Sequence, residues 1–266
     1  MVQQKIAEFI STWLTQKLHE SGCKGLVVGV SGGVDSALTS TLCALTGQPV
    51  RAYSMPIHQK ESEVDRAQAH LAWLSANYPN VTADVLDLTQ AFDAFKSGLT
   101  AVEPDELALA NTRSRLRMAA LYAASGTYRM LVCGTGNRVE DFGIGFFTKY
   151  GDGGVDVSPI AGLMKTEVYQ LAAHLGVCDK ILQASPTDGL WEDGRSDEEQ
   201  IGATYAEIEW AMLYDVSESS APLSERQQEV LQLYNRFNQN NSHKLSPVPI
   251  CIIPEELKPL ISETES

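Results

Sequence analysis

Long apolar runs are missing from this chain. No stretch nears the roughly 20 consecutive apolar residues that a membrane-spanning helix needs. The opening segment MVQQKIAEFISTWLTQKLHESG instead spaces Ile6, Phe9, Ile10, Trp13, Leu14 and Leu18 along one face of an amphipathic helix, expected over residues 1–24. Cysteine is scarce: Cys23, Cys43, Cys133, Cys178 and Cys251 are odd in number, widely spaced and free of any CxxC pair. That pattern excludes a disulfide framework and reads as buried free thiols in a reducing cytosol. Positive charge is also short, with 20 Lys and Arg against 34 Asp and Glu and a formal net charge of −14. Nucleic acid and anionic membranes draw their affinity from clustered cations, so neither is an expected partner. His19, His58, His70 and His174 show no clustering of the kind that ligates a metal.

Internal repeats and low-complexity segments are absent as well, and 266 residues of which 44% are hydrophobic suffice to bury one large core. The informative pattern is an alternation of short apolar runs with longer periodic ones. GLVVGVS (25–31), VRAYSMP (50–56), TADVLDL (82–88) and RMLVCGT (129–135) read as strands, and helical periodicity covers 34–46, 61–77 and 105–125 between them. This order predicts an α/β fold: a single, doubly wound, mainly parallel, Rossmann-like sheet with helices on both faces. Further helices are expected over 165–175, 197–213 and 222–239, with the acidic connection EDGRSDEEQ as a solvated loop and residues 240–266 as a mobile C-terminal segment. Ligands of such sheets bind beyond the carboxyl ends of the strands, where SGGVDS and GTGNRVED both fall.

Ser31-Gly32-Gly33-Val34-Asp35-Ser36 joins the first strand to a helix. Glycines there let the backbone approach an anion, and the helix N-terminus adds partial positive charge, so the turn reads as a phosphate site. It has neither the third glycine of GxGxxG nor the lysine of GxxxxGK[ST]. A carboxylate within a phosphate loop repels its ligand unless a divalent cation lies between them, which makes Asp35 a candidate Mg²⁺ ligand; the alternative is a helix cap.

The hexapeptide resembles the SGGxDS pyrophosphate loop of the adenine-nucleotide α-hydrolase-like superfamily, whose members cleave ATP between the α and β phosphates. CGTGNRVEDFGIGFFTKYGDGGVDVSPIAGLMKTEVY (133–169) narrows the resemblance to the NAD synthetase family. NTRSRLRMAALY (111–122), SPTDGLW (185–191), DEEQIGATY (197–205) and SHK (242–244) extend it over most of the chain. With no glutaminase domain ahead of the sheet, the resemblance is to the ammonia-dependent form. It implies amidation of deamido-NAD by ammonia at the expense of ATP, giving NAD, AMP and diphosphate through an adenylated carboxylate. The alternatives are another SGGxDS amide ligase and a catalytically silent nucleotide-binding module.

Carried over position by position, the resemblance implies ATP contacts at Gly29, Val30, Ser31, Gly32, Gly33, Val34, Asp35, Ser36, Thr135, Lys165 and Thr187. It implies Mg²⁺ ligands at Asp35 and Glu140, and deamido-NAD contacts at Arg115, Lys149, Asp156, His243 and Lys244. A cytoplasmic homodimer is implied too, with the N-terminal helix and helix 105–125 as candidate interface elements. Lys165 and Asp152 are the candidate catalytic residues. A cation at Lys165 suits charge developing on the α-phosphate or on leaving pyrophosphate; a carboxylate at Asp152 suits incoming ammonium, with organisation of its Gly-rich turn as the alternative. Among Phe142, Phe146, Phe147 and Tyr150, one is a candidate to stack on the nicotinate ring. The chain also departs from the family pattern: Ser54 stands where an arginine is frequent, Leu245 follows SHK where an arginine is frequent, and one extra residue lies between Glu140 and Gly145.

Overall fold

The computed structural model describes residues 2–186, 196–214 and 222–254. Four parallel strands, β1 (Leu26–Gly29), β2 (Val50–Ser54), β3 (Val81–Val85) and β4 (Leu131–Cys133), form a sheet in the order β3-β2-β1-β4. β1 pairs with β2 through Leu26 opposite Val50 and with β4 through Leu26 opposite Leu131, so the chain reverses its direction of winding beside β1. The carboxyl ends of β1 and β4 face the crevice that this reversal opens.

Side-chain alternation along the strands divides the core between two faces. Leu26, Val28, Val50, Ala52 and Cys133 point to one face. They pack there with α1 (Val2–Ser21), α2 (Val34–Leu45), α3 (Glu61–Asn77) and α6 (Lys165–His174). Val27, Tyr53 and Val132 point to the other face, against Met118 and Leu121 of α5 (Glu106–Tyr128). Leu14 and Leu18 bury the apolar stripe of α1, each worth about 1.5–3 kcal/mol on the scale for fully buried aliphatic side chains.

Two α-helices and a π-helix fall outside the sequence expectations: α4 (Thr89–Gly98), the single turn α7 (Asp179–Leu182) and the π-helical turn Arg138–Ile144. The helix expected over 197–213 is two helices, α8 (Asp197–Ile201) and α9 (Tyr205–Leu213). Gly202 stops the first in a left-handed conformation, and Thr204 starts the second by accepting the Glu207 N–H. Part of the acidic connection is thereby ordered: Glu199 closes a capping box on Ser196, and Asp197 is buried. The last helix, α10 (Glu225–Leu245), starts at its Ser224 cap and carries residues 240–245 as helix, where a mobile segment was expected. Ile208, Ala211 and Val230 of α9 and α10 build a smaller core with Val139 and Ile144. Cys43 and Cys133 are buried free thiols as expected, whereas Cys178 and Cys251 are exposed, since each lies on a connecting segment and not on a core face.

Candidate active site

After β1 the chain turns through Val30–Gly33 into α2. Gly32 sits at φ +88°, and a Cβ there would come within 2.8 Å of the Glu63 carbonyl on α3, so both conformation and space call for glycine. Ser36 Oγ accepts the Ser31 N–H at 3.1 Å and donates to the Gly33 carbonyl at 3.0 Å, which pins the loop. Gly33 caps α2 without a side-chain acceptor, so the first-turn amides point out of the helix end, as an anion site requires. Arg66 of α3 donates Nε to the Gly32 carbonyl at 3.3 Å and brings a cation to the loop from a segment outside the sequence motifs.

Asp35 is no cap. Its Oδ2 accepts from Lys165 Nζ at 2.6 Å, and its Oδ1 accepts from Asn137 Nδ2 at 3.0 Å. The same Lys165 ammonium donates to Glu140 Oε1 at 2.9 Å, although the two partners lie 130 and 25 residues away in sequence. Glu140 Oε1 also accepts from the Tyr205 hydroxyl at 2.6 Å, and that hydroxyl lies 3.2 Å from Asp197 Oδ2. Asn137, fully buried in the GTGN turn, accepts the Val139 and Glu140 N–H groups and so aims Glu140 at Lys165. Lys165 is 3% exposed. Burial alone would discharge its ammonium, but Asp35 and Glu140 outweigh burial and hold its pKa above the usual range. Burial raises Glu140 as well, yet Lys165 and the Tyr205 hydroxyl keep it below the ordinary glutamate value. Asp35 stays raised, because burial and the Glu140 charge exceed the pull of Lys165.

One cation therefore satisfies two carboxylates on converging elements. The same hard oxygen donors suit Mg²⁺, which takes one or two carboxylates and leaves other positions to water and substrate oxygens. Among the described residues no group of three or more His, Cys, Asp or Glu is arranged to hold a metal, so phosphate oxygens would have to complete such a shell.

Beside this cluster lies a cavity of about 690 Å³ lined by Arg115, Tyr122, Phe142, Phe147, Lys149, Tyr150, Ser158, Lys244 and Leu245, with Asp141 as its one acid. Its cations are braced by backbone carbonyls. Arg115 Nε donates to Lys149 O, Lys149 Nζ to His243 O, and Lys244 Nζ to both Gly145 O and Phe147 O. Arg113 and Arg117 turn elsewhere from the same helix, Arg113 over the Phe92 ring and Arg117 to the Met55 carbonyl. Phe142, Phe147 and Tyr150 line the cavity, while Phe146 packs into the α9–α10 core.

Three of the expected site residues are engaged within the protein. Asp156 is not part of the cavity wall: Oδ2 accepts the Val132 N–H at 2.7 Å and Oδ1 accepts from the Tyr122 hydroxyl at 2.9 Å, so it fastens β4 to α5. His243 contributes its carbonyl to Lys149, and its ring turns to the Asn240 carbonyl. Asp152 Oδ1 accepts from Ser114 Oγ at 2.6 Å and from the Thr148 N–H at 3.0 Å, the turn-organising role. Thr135 follows β4 at the crevice, and Thr187 lies outside the described residues. Asn137, Tyr205, Asp197, Arg66 and Asp141 were not singled out from sequence. Asn137, Asp141, Asp197 and Tyr205 stand inside quoted motifs, whereas nothing local marks Arg66.

The NAD synthase family pattern matches residues 6–248. The NH3-dependent NAD(+) synthetase of Carboxydothermus hydrogenoformans is 39% identical over 89% of this chain and 93% of its own. That of Methanosarcina acetivorans is 35% identical over 93% of this chain and 96% of its own. Among solved structures, an NMN synthetase from Francisella tularensis superposes with TM-score 0.82 at 28% identity, covering 95% of this chain and 98% of that one. The NH3-dependent NAD synthetase of Campylobacter jejuni gives 0.76 at 26% identity, covering 95% and 100%. With the SGGVDS loop, the Lys165 cluster and these matches in one chain, the protein belongs to the NAD synthase family.

Proposed function

We propose that this chain converts deamido-NAD to NAD by ATP-dependent amidation with ammonia, releasing AMP and diphosphate. The observation that carries the reading is the Lys165 ammonium held between Asp35 of the SGGVDS loop and Glu140 after β4, next to a cavity with three cations. In this reading Gly29 to Ser36, Thr135 and Thr187 hold ATP, and Arg115, Lys149 and Lys244 hold the second nucleotide through its phosphates. Asp156 and His243 support that subsite through Tyr122 and Lys149. Mg²⁺ bound at Asp35 and Glu140 supplies neutralisation of phosphate charge.

A bare carboxylate resists nucleophiles because its leaving group would be oxide. The nicotinate carboxylate therefore attacks the α-phosphate, forming an anhydride with AMP while diphosphate leaves. Ammonia then attacks the acyl carbon and expels AMP. The chain's own part is to orient the two nucleotides, to neutralise leaving diphosphate with Lys165, and to exclude competing water. The same reading makes the protein a cytoplasmic homodimer; exposed Phe9 on α1 and Leu107 and Tyr128 on α5 are among the apolar side chains available for that interface.

Incubation with ATP, ammonium and deamido-NAD tests the function: NAD and AMP should form in equal amounts. ADP in place of AMP, or no NAD, overturns it. Because the Francisella neighbour is an NMN synthetase, nicotinic acid mononucleotide belongs in the same assay. A higher kcat/KM on the mononucleotide would move the substrate while leaving the chemistry intact.

A further inference from the structure

Lys165 is the first residue of α6, and a side chain of that length is aimed only as well as the backbone that carries it. Within α6 the start is closed locally: the Met164 N–H donates to Glu167 Oε2 at 2.8 Å. A second grip comes from another helix. The Thr166 N–H donates to Glu209 Oε1 at 2.9 Å, and the Thr166 hydroxyl donates to Glu209 Oε2 at 2.8 Å. Both oxygens of one carboxylate therefore hold the residue next to Lys165, from 43 residues away in sequence.

Glu209 lies on α9 one turn after Tyr205, and residues four apart share a helix face. Tyr205 meets the same cluster: its hydroxyl donates to Glu140 Oε1 at 2.6 Å, and its ring centre lies 4.6 Å from Lys165 Nζ. Ile208 and Ala211 anchor α9 in the small core that also holds Val139 and Ile144, from the turn that carries Glu140. One face of α9 thus registers both ends of the Lys165–Glu140 ion pair. An acid at a helix N-terminus also steadies the helix through its dipole, but Glu167 already supplies one inside α6. What a cap from within α6 cannot do is fix α6 against α9.

The geometry points to Glu209 as a positioning residue for Lys165: its two hydrogen bonds to Thr166 set where α6 begins and hence where the ammonium lies. The assignment rests on the amidation reading above, in which Lys165 neutralises leaving diphosphate. Glu209 itself touches no reacting atom. Lys165 is 3% exposed and donates at 2.6 and 2.9 Å, so the cluster leaves little room for a shifted ammonium. A misplacement of about 1 Å, caused far from the chemistry, costs on the order of a hundredfold in rate. Loss of Glu209 leaves the Glu167 cap and the α6 core contacts in place, so a smaller loss is expected.

The test is exchange of labelled pyrophosphate into ATP in the presence of deamido-NAD, which reads adenylation, the step that Lys165 serves. Glu209→Ala, Glu209→Gln and Thr166→Val are compared in the full chain, well below each variant's unfolding midpoint and per amount of folded protein. Glu209→Ala should lower the maximal exchange rate about tenfold while KM for ATP and for deamido-NAD stays within about twofold, the pattern of an interaction felt only in the transition state. Glu209→Gln keeps an acceptor for the Thr166 N–H and a donor for its hydroxyl oxygen, so it should stay within about threefold of wild type. Thr166→Val, which loses the hydroxyl alone, should fall between the two. A Glu209→Ala rate within about twofold of wild type overturns the proposal, as does a raised KM at an unchanged maximal rate. Glu209→Gln as slow as Glu209→Ala also overturns it, since charge and not placement would then be at work. Should Glu209→Ala not fold, a wild-type rate in Thr166→Val overturns it instead. Wild-type protein without exchange that depends on deamido-NAD refutes the amidation reading itself, before any variant is compared.

Discussion

Lys165→Met removes the one cation that answers Asp35 and Glu140 among the described residues, and its cost follows from the geometry. The ammonium lies 2.6 and 2.9 Å from carboxylates whose side chains are 17% and 16% exposed, so water replaces it poorly. Removing one partner of such a buried cluster costs about 3–5 kcal/mol, a large share of the roughly 5–15 kcal/mol by which a domain is stable. At about 2–4 °C per kcal/mol for a chain of this size, the unfolding midpoint should fall by roughly 6–20 °C near pH 8. The loss has a definite pH dependence. Without Lys165 both carboxylates have native pKa values above their unfolded ones. The native state then binds more protons than the unfolded state, and stability falls as pH rises through that window. The deficit should accordingly be greatest at pH 8 and shrink toward pH 5, and millimolar Mg²⁺ should recover part of it at pH 8. Thermal unfolding across this pH range, with chelator and with Mg²⁺, makes the measurement. A deficit under about 1 kcal/mol at pH 8, or one that does not change with pH, would show that the cluster is not charge-coupled as described.

Asp35→Asn should abolish Mg²⁺-dependent pyrophosphate release; near-normal turnover in a coupled pyrophosphate assay would refute the metal assignment. Tyr205→Phe deletes the hydroxyl on Glu140 Oε1 and should cost about 1.5–3 kcal/mol, seen as a weaker dependence of rate on Mg²⁺; an unchanged Mg²⁺ titration would count against it. His70, buried on α3 with Nε2 3.0 Å from Ser40 Oγ, has its pKa pushed down to about 4 by burial. Its unfolded form takes a proton first, so acidification from pH 6.5 to about 4 should cost about 3 kcal/mol, and His70→Gln should flatten that part of the stability profile.

Those charges were readable one by one in the sequence, but not their neighbours. Asp35 stood out as a carboxylate inside a phosphate loop, and Glu140 and Lys165 through the family resemblance. That one ammonium bridges both acids depended on α6 reaching back across α2, a contact with no local signature. The four strands were legible for a related reason. Strands buried on both faces need unbroken apolar runs, and the β-α-β order leaves few ways to connect them. Where local chemistry was overlooked the expectations slipped. Gly202 and the Thr204–Glu207 capping box divide what looked like one helix, and the Ser242-His243-Lys244 stretch continues α10 because Lys244 finds the Gly145 and Phe147 carbonyls to bind.

By itself, then, the sequence determined the parallel sheet and the glycine-rich turn after β1, since these depend on residue types at short spacing, and it pointed to the class of chemistry through its family resemblance. Only the tertiary structure decided that Asp156 and Asp152 brace strands and loops, that Asn137 and Tyr205 aim Glu140, and that Arg138–Ile144 wind as a π-helix with Asp141 at the cavity wall. Those outcomes depend on which donors remain unspent after packing, and a donor's partner is fixed by distances between segments far apart in the chain.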